Sequence, residues 1–213
     1  MTAAKEDKPV IGLIGGIGSG KSQVAAAFAR HGARIIAGDQ LGQAALRDPA
    51  IRGRIVERWG KGVLAESGEV DRRAMAAIVF AQPEELRALE AITHPWIRQR
   101  IEQEIEEARR DPRVPLIVLD AAIMLEAGWN AVCDRLVYIE APPELRLERV
   151  TRQRGWTSKE VEAREQAQLP LTQKAAHADH VLDNSGSLEH LNRHVDDLLH
   201  QWGIGPHRER TGT

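Results

Sequence analysis

The apolar run Val10–Ile14 leads directly into Gly15-x-x-x-x-Gly20-Lys21-Ser22. This pattern constrains the chain more than any other. Glycines let consecutive backbone N–H groups turn inward around phosphate oxygens, where side-chain-bearing residues would obstruct them. A lysine at position 21 reaches the β- and γ-phosphates as a point charge, and the Ser22 hydroxyl is a ligand for Mg²⁺. The alanine-rich segment after the loop, Gln23–Arg30, continues as a helix whose N-terminal dipole faces the anion. The strand, loop and helix together predict the nucleotide end of a parallel α/β sheet.

The remaining periodicity agrees. Short apolar runs recur at Arg34–Ile36, Pro115–Asp120, Leu136–Glu140 and His180–Leu182, giving five strands with Val10–Ile14. Helical patterns fall between them. Lys21–Arg30 is stopped by His31-Gly32, and the stretch from Gln40 to about Gln82 is helical with breaks at Asp48-Pro49, Trp59–Gly62 and Ser67-Gly68. Glu84–Ala108 is amphipathic, with a bend or break expected at His94-Pro95. Its half from Arg98 to Arg110 alternates Glu and Arg as a solvated face does. Pro143–Gln153, Ser158–Gln168 and Leu188–Trp202 complete the helices, and a polar tail follows Gly203. Strands alternating with helices imply right-handed crossovers in a parallel sheet with helices on both faces. The long helical stretch between the second and third strands is too large for one crossover and reads as a substrate-binding part.

Composition excludes several classes. A net charge of −2 over 213 residues gives no general attraction to nucleic acid or anionic membranes, so an anionic substrate needs locally placed cations. Cys133 is the only cysteine, which rules out an internal disulfide and a multi-cysteine metal site; beside Val132 it reads as a buried, inert thiol. No apolar run approaches bilayer length and the polar N-terminus has no signal-like core, so a cytoplasmic location is expected. The glycines at 15, 16, 18 and 20 fit no register of the dinucleotide fingerprint. The tryptophans at 59, 96 and 202 occupy apolar helix positions and read as packing residues, not base-stacking ones.

Other chemical groups follow the strands. Asp39, after the second strand, suits a general base for a hydroxyl attacking the γ-phosphate, and equally suits a cap for a helix Gln40–Leu46. Asp120 ends an apolar strand in the manner of a carboxylate that holds Mg²⁺ through water. Arg149, Arg152, Arg154 and Arg164 cluster in charged helices after the fourth strand and offer cations to a transferred phosphoryl group.

In order, the landmarks resemble the dephospho-CoA kinase family from about Val10 to about Leu199. They include the loop at 12–22, Gly38-Asp39, Gly68–Arg73, Leu89-Glu90…His94-Pro95, Asp120…Glu126, Arg149, Arg164, Gln168…Lys174 and Ala178-Asp179…Asn184-x-Gly186. The resemblance implies ATP-dependent phosphorylation of the ribose 3′-hydroxyl of dephospho-CoA, with Mg²⁺, in one domain spanning 1–203. Within it, a core (9–47, 112–142, 178–203), a helical CoA-binding part (about 48–111) and a lid (about 143–177) are expected, followed by the polar tail 204–213. Carried over residue by residue, Gly16, Ile17, Gly18, Ser19, Gly20, Lys21, Ser22, Gln23, Arg149 and Arg164 bind ATP. Asp39 is the base, assisted by Lys21 and Arg149, and Arg73 and His94 lie with Asp39 on the substrate side. Ser22 and Asp120 hold Mg²⁺. ATP and dephospho-CoA are the partners expected; nucleic acid, membrane and an obligate protein partner are not. The chain departs from the family at Ala37 and Gln23, where Asp and Thr are usual, at Ala122, where the missing proline implies a looser turn, and at Gln153, where a lid arginine is usual. The rival readings are another small-metabolite or nucleoside-monophosphate kinase, and a slow nucleotide switch. The latter lacks its guanine-reading Asn-Lys-x-Asp segment.

Overall fold

A computed structural model describes residues 8–204. Expectations for residues 1–7 and for the tail beyond 204 lie outside the described residues.

Five parallel strands form one sheet in the order β2-β3-β1-β4-β5. They are β1 (Val10–Gly15), β2 (Arg34–Ala37), β3 (Ile117–Asp120), β4 (Arg135–Glu140) and β5 (His180–Asp183). Every residue of β1 is buried, as a central strand covered on both faces must be. The strand expected from Pro115 begins at Ile117, whose N–H is taken by the Pro9 carbonyl. In register, Leu13 lies beside Asp120, which lies beside Ala37, so the ends of three strands meet at the carboxyl edge where open sheets bind ligands.

The chain falls into two compact units. The first comprises residues up to Ala37 and from Glu104 onward; the second is Gly38–Gln103. The helix after β2 therefore groups with the helical unit and not with the sheet, a boundary earlier than the periodicity suggested.

In the first unit, α1 (Lys21–Ala29) and α9 (Leu188–Gln201) cover one face of the sheet. Phe28, Leu191, Val195 and Leu199 pack there against Ile11, Leu13, Val137 and Ile139. Each such side chain contributes about 1.5–3 kcal/mol by leaving water. The helices α6 (Pro143–Arg154), α7 (Ser158–Gln166) and α8 (Leu171–Ala176) lie between β4 and β5. Thr157 and Glu160 close a capping box on α7. The helix expected to run to Gln168 ends at Gln166, and Pro170 starts the short α8, which periodicity over six residues does not announce.

The second unit holds α2 (Gly38–Arg47), α3 (Pro49–Trp59), α4 (Arg72–Ala81) and most of α5 (Pro83–Arg110). Asp48-Pro49 is a helix start: the Asp48 carboxylate accepts from the N–H groups of Ala50 and Ile51, and Pro49 needs no partner at the first position. Asp71 caps α4 the same way. Ile51, Ile55, Met75, Val79 and Ile92 form its core. Trp59 and Trp96 pack at its margin with their indole N–H groups donated to Glu85 (2.7 Å) and Asp48 (3.1 Å), which is the packing role expected of them. No break occurs at His94-Pro95. α5 is continuous with Pro95 inside it, and the buried Ile92 and Ile97 on either side offset the hydrogen bond that proline cannot make. No helix among the described residues is long and apolar enough to cross a membrane.

Candidate active site

The glycine loop folds as its pattern requires. Gly20, at φ 89° and ψ 29°, is the left-handed residue from which α1 starts, a conformation that disfavours a side chain. Lys21 directs its ammonium back across the loop, donating to the carbonyls of Gly15 (3.0 Å) and Gly16 (3.1 Å). Ser22, exposed at the start of α1, donates its hydroxyl to the Asp120 carboxylate at 2.7 Å. The two residues read separately as Mg²⁺ groups are thus brought together, 98 positions apart in sequence. A hydroxyl and a carboxylate are hard oxygen donors, and Mg²⁺ keeps most of its waters and needs few protein ligands. The donor set fits that ion. Among the described residues no cluster of three or more His, Cys, Asp or Glu forms a denser metal site.

The outer side of the loop is held by three side chains from later segments. Asn184, 2% exposed just after β5, donates its amide to the Ser19 carbonyl at 2.8 Å and reaches Gln23 Oε1 at 3.5 Å. Arg149 on α6 donates to the same Ser19 carbonyl (3.3 Å) and to the Asn184 carbonyl (2.8 Å), and burial holds its guanidinium below the usual arginine range. Arg146, one turn earlier on α6, donates to the Ile17 carbonyl at 3.3 Å and pairs with Glu165 of α7. Ser19 Oγ is buried without a hydrogen-bond partner among the described residues.

Beside the loop a second polar network joins two stretches that carried the family resemblance. Lys174 is 1% exposed, and its ammonium donates to Glu126 Oε1 (2.9 Å), Gln168 Oε1 (2.9 Å) and the Ala122 carbonyl (3.2 Å). Glu126 Oε1 also accepts the Leu169 N–H at 2.8 Å. The turn expected to be loose at Ala122 is therefore anchored through its carbonyl.

Arg164 stacks on the Trp156 ring, 4.0 Å from its centroid, with Arg154 at 4.9 Å from the same ring. Asp39, Arg73 and His94 belong to the second unit. Asp39 is the exposed second residue of α2, so it sits inside the helix and is not its cap. Arg73 is exposed near the start of α4, and His94 is half-buried on α5 with burial lowering its pKa against a weaker upward pull from Glu90. Cys133 is half-buried rather than buried, and desolvation pushes its thiol up to about 12, with Asp134 adding to the shift, which keeps the thiol unreactive.

Arg146, Asn184, Glu126 and Lys174 had no assigned role in the sequence. The contacts of Arg146 with Ile17, Asn184 with Ser19 and Glu126 with Leu169 span 129, 165 and 43 positions, so no window of local pattern contains them.

The comparisons with known proteins converge on one family. The family model described as CoaE, dephospho-CoA kinase, matches residues 9–190. A dephospho-CoA kinase from Geobacter sulfurreducens is 39% identical over 190 residues, covering 89% of this chain and 96% of that protein. One from Bacillus licheniformis is 38% identical over 195 residues, covering 91% and 96%. Among solved structures, a Thermus thermophilus protein aligns with a TM-score of 0.78 at 35% identity, covering 92% of this chain and 98% of its own. A dephospho-CoA kinase from Campylobacter jejuni (TM-score 0.68, 22% identity, 92% and 97% covered) and a shikimate kinase from Acinetobacter baumannii (0.55, 16%, 94% and 97%) share the fold.

Proposed function

The chain belongs to the dephospho-CoA kinase family, and from that premise we propose how its residues divide the transfer of the ATP γ-phosphoryl group to the ribose 3′-hydroxyl of dephospho-CoA. The products are coenzyme A and ADP. The observation that carries the division is the Ser22–Asp120 contact of 2.7 Å at the foot of the phosphate loop.

In this reading the N–H groups of the loop from Gly16 to Ser22 hold the β- and γ-phosphates. Lys21 exchanges its two loop carbonyls for phosphate oxygens when nucleotide enters. Mg²⁺, when bound, would be held by the Ser22 hydroxyl and, through water, by the Asp120 carboxylate, and would neutralise charge developing on the phosphate oxygens. The substrate 3′-oxygen attacks the γ-phosphorus in line as the bond to the β-phosphate oxygen breaks. Asp39, two residues beyond the strand whose last member pairs with Asp120, takes the hydroxyl proton. Arg149 and Arg164 supply cations from the lid, which is the segment 143–177. Closure of that segment excludes water that would otherwise hydrolyse ATP. The helical unit, with Arg73 and His94, receives the CoA side of the substrate. No obligate protein partner is needed for these steps, and both substrates are metabolites of the cytoplasm, where we place the enzyme.

The test is ADP release from Mg-ATP, coupled to a reporter, with dephospho-CoA, AMP, shikimate or gluconate as acceptor. Strong stimulation by dephospho-CoA alone is expected. Equal or better stimulation by AMP or shikimate would overturn the substrate and leave a kinase of another metabolite. Hydrolysis independent of any acceptor would favour a nucleotide switch.

A further inference from the structure

We infer that Arg146, backed by Glu165, is a positioning residue for the nucleotide phosphates, acting through the loop backbone and not by touching the ligand. The inference rests on the phosphate-loop reading above and extends it to a residue that neither the loop motif nor the lid arginines include.

Four observations carry it. Arg146 is 9% exposed, which is rare for an arginine on a helix between two surface segments, and its guanidinium is aimed at the outside of the loop. The Ile17 carbonyl accepts from Nη1 at 3.3 Å. A Cβ built on Gly16 would collide with that same nitrogen, so glycine at 16 lets the guanidinium come this close. Finally, Nη1 is ion-paired with Glu165 on α7, the carboxylate being 30% exposed, which offsets the buried charge.

The consequence follows from peptide geometry. No peptide bond among the described residues is cis. In a trans peptide the carbonyl and the N–H point opposite ways, so a carbonyl fixed outward fixes its amide proton inward. Ile17 C=O and Gly18 N–H share one peptide unit. Ser19 C=O and Gly20 N–H share another, held outward by Asn184 and Arg149. Cationic donors on these carbonyls do more than orient them. They polarise the peptide and make the opposite N–H a better donor to phosphate. Glu165 holds Arg146 in the position from which it does this. Arg146 therefore presets the Gly18 N–H in the absence of ligand, and the phosphate enters a finished cradle.

An effect of this kind is felt by bound ATP and by the transition state alike, since both present the same β-phosphate. Losing uniform binding raises KM and leaves kcat alone. Arg146→Met, which keeps much of the stem's packing, is expected to raise KM for ATP about tenfold with kcat within threefold and KM for dephospho-CoA unchanged. Arg146→Lys, which keeps the charge but not the fork, should fall between. Glu165→Gln, at a partly exposed site, should raise KM for ATP about threefold. Because the two residues act as a unit, the double variant should be no worse than Arg146→Met. Arg98→Gln, which breaks a solvated ion pair on α5, is the control and should match the parent. Equilibrium binding of ATP without acceptor, by calorimetry, gives the same ranking independently of what the substrate is. If the parent binds ATP but is not stimulated by dephospho-CoA, the substrate assignment fails and this test still reads. Unchanged ATP affinity in Arg146→Met and Glu165→Gln would overturn the inference, as would a loss confined to kcat or shared equally by both substrates.

Discussion

Asp39→Asn separates the chemistry of Asp39 from its place in the fold. The side chain is exposed in the first turn of α2 and makes no hydrogen bond or ion pair with another described residue. Its only structural contribution is a negative charge near a helix N-terminus, worth about 0.3–1 kcal/mol. In a chain of this size 1 kcal/mol moves the melting temperature by about 2–4 °C, so the variant should melt roughly 1–3 °C below the parent. Removing a general base costs about 10²–10⁴ in rate, or about 2.7–5.4 kcal/mol on the barrier. Asparagine is nearly the same shape and cannot take a proton. Ala37 stands where the family usually has a second acid, so no neighbouring carboxylate substitutes for it. Turnover at saturating Mg-ATP and dephospho-CoA should therefore fall at least 10²-fold. ATP affinity, measured without acceptor, should stay within about twofold because the loop is untouched. Turnover within a few-fold of the parent would refute the reasoning and move the base to another carboxylate, with Asp120 next in line. A fall in melting temperature beyond about 5 °C would instead show that Asp39 holds structure that the described contacts do not account for.

The Lys174–Glu126 pair should show an asymmetry in thermal melts. Glu126→Gln leaves an ammonium that is 2% exposed without its counter-charge and should cost about 3 kcal/mol, or roughly 6–12 °C, whereas Lys174→Met fills the volume and leaves a 19% exposed carboxylate that keeps the Leu169 N–H. If Lys174→Met is the more damaging of the two, the pair is not held by charge compensation. His94 should make the fold sensitive to mild acid. Its folded pKa lies below the ordinary 6.5 because burial disfavours the cation, so the unfolded chain takes up the proton first. Stability from this group is fully present above pH 6.5, falls as the pH drops below it, and levels off below the folded value. His94→Asn should remove that part of the slope in melts from pH 7.5 to 5.5, and parallel curves for parent and variant would disprove it.

What could be read from the sequence had a local signature. Val10–Ile14 announces a buried strand because all its residues are apolar, and the loop announces itself because its geometry demands glycine at fixed spacing. Asp120 is legible for the same reason, as the polar end of an apolar run. The helix start at Gly38 was not, because Ala37-Gly-Asp39 is equally compatible with a cap one residue later. Pro95 reads in sequence as a bend or break because proline cannot make the helical hydrogen bond. Whether the helix survives is decided by the burial of Ile92 and Ile97, which is tertiary. By composition and spacing Arg146 and Arg149 look identical to Arg152 in a charged helix, and only the family resemblance marks Arg149. Only the fold aims the first two at carbonyls of the loop and leaves Arg152 in solvent. Buried charges of this sort follow from pairing across the chain, and a window of ten residues holds no trace of it.

The strand order has a consequence for how the protein is made. β1 emerges first, yet both of its neighbours come more than a hundred residues later, with Val10 paired to Ile117 and Ile11 to Arg135. During synthesis its unbroken apolar run has no ladder to join, and the helical unit 38–103 is finished before the sheet can close. The nascent chain therefore carries an unpaired, aggregation-prone strand for most of translation. Nucleotide offers no relief in that interval, because the donors that shape its cradle include Arg149 and Asn184, near the end of the chain. ATP can stabilise the finished enzyme by mass action, but it arrives too late to guide the folding of the strand that carries its own binding loop.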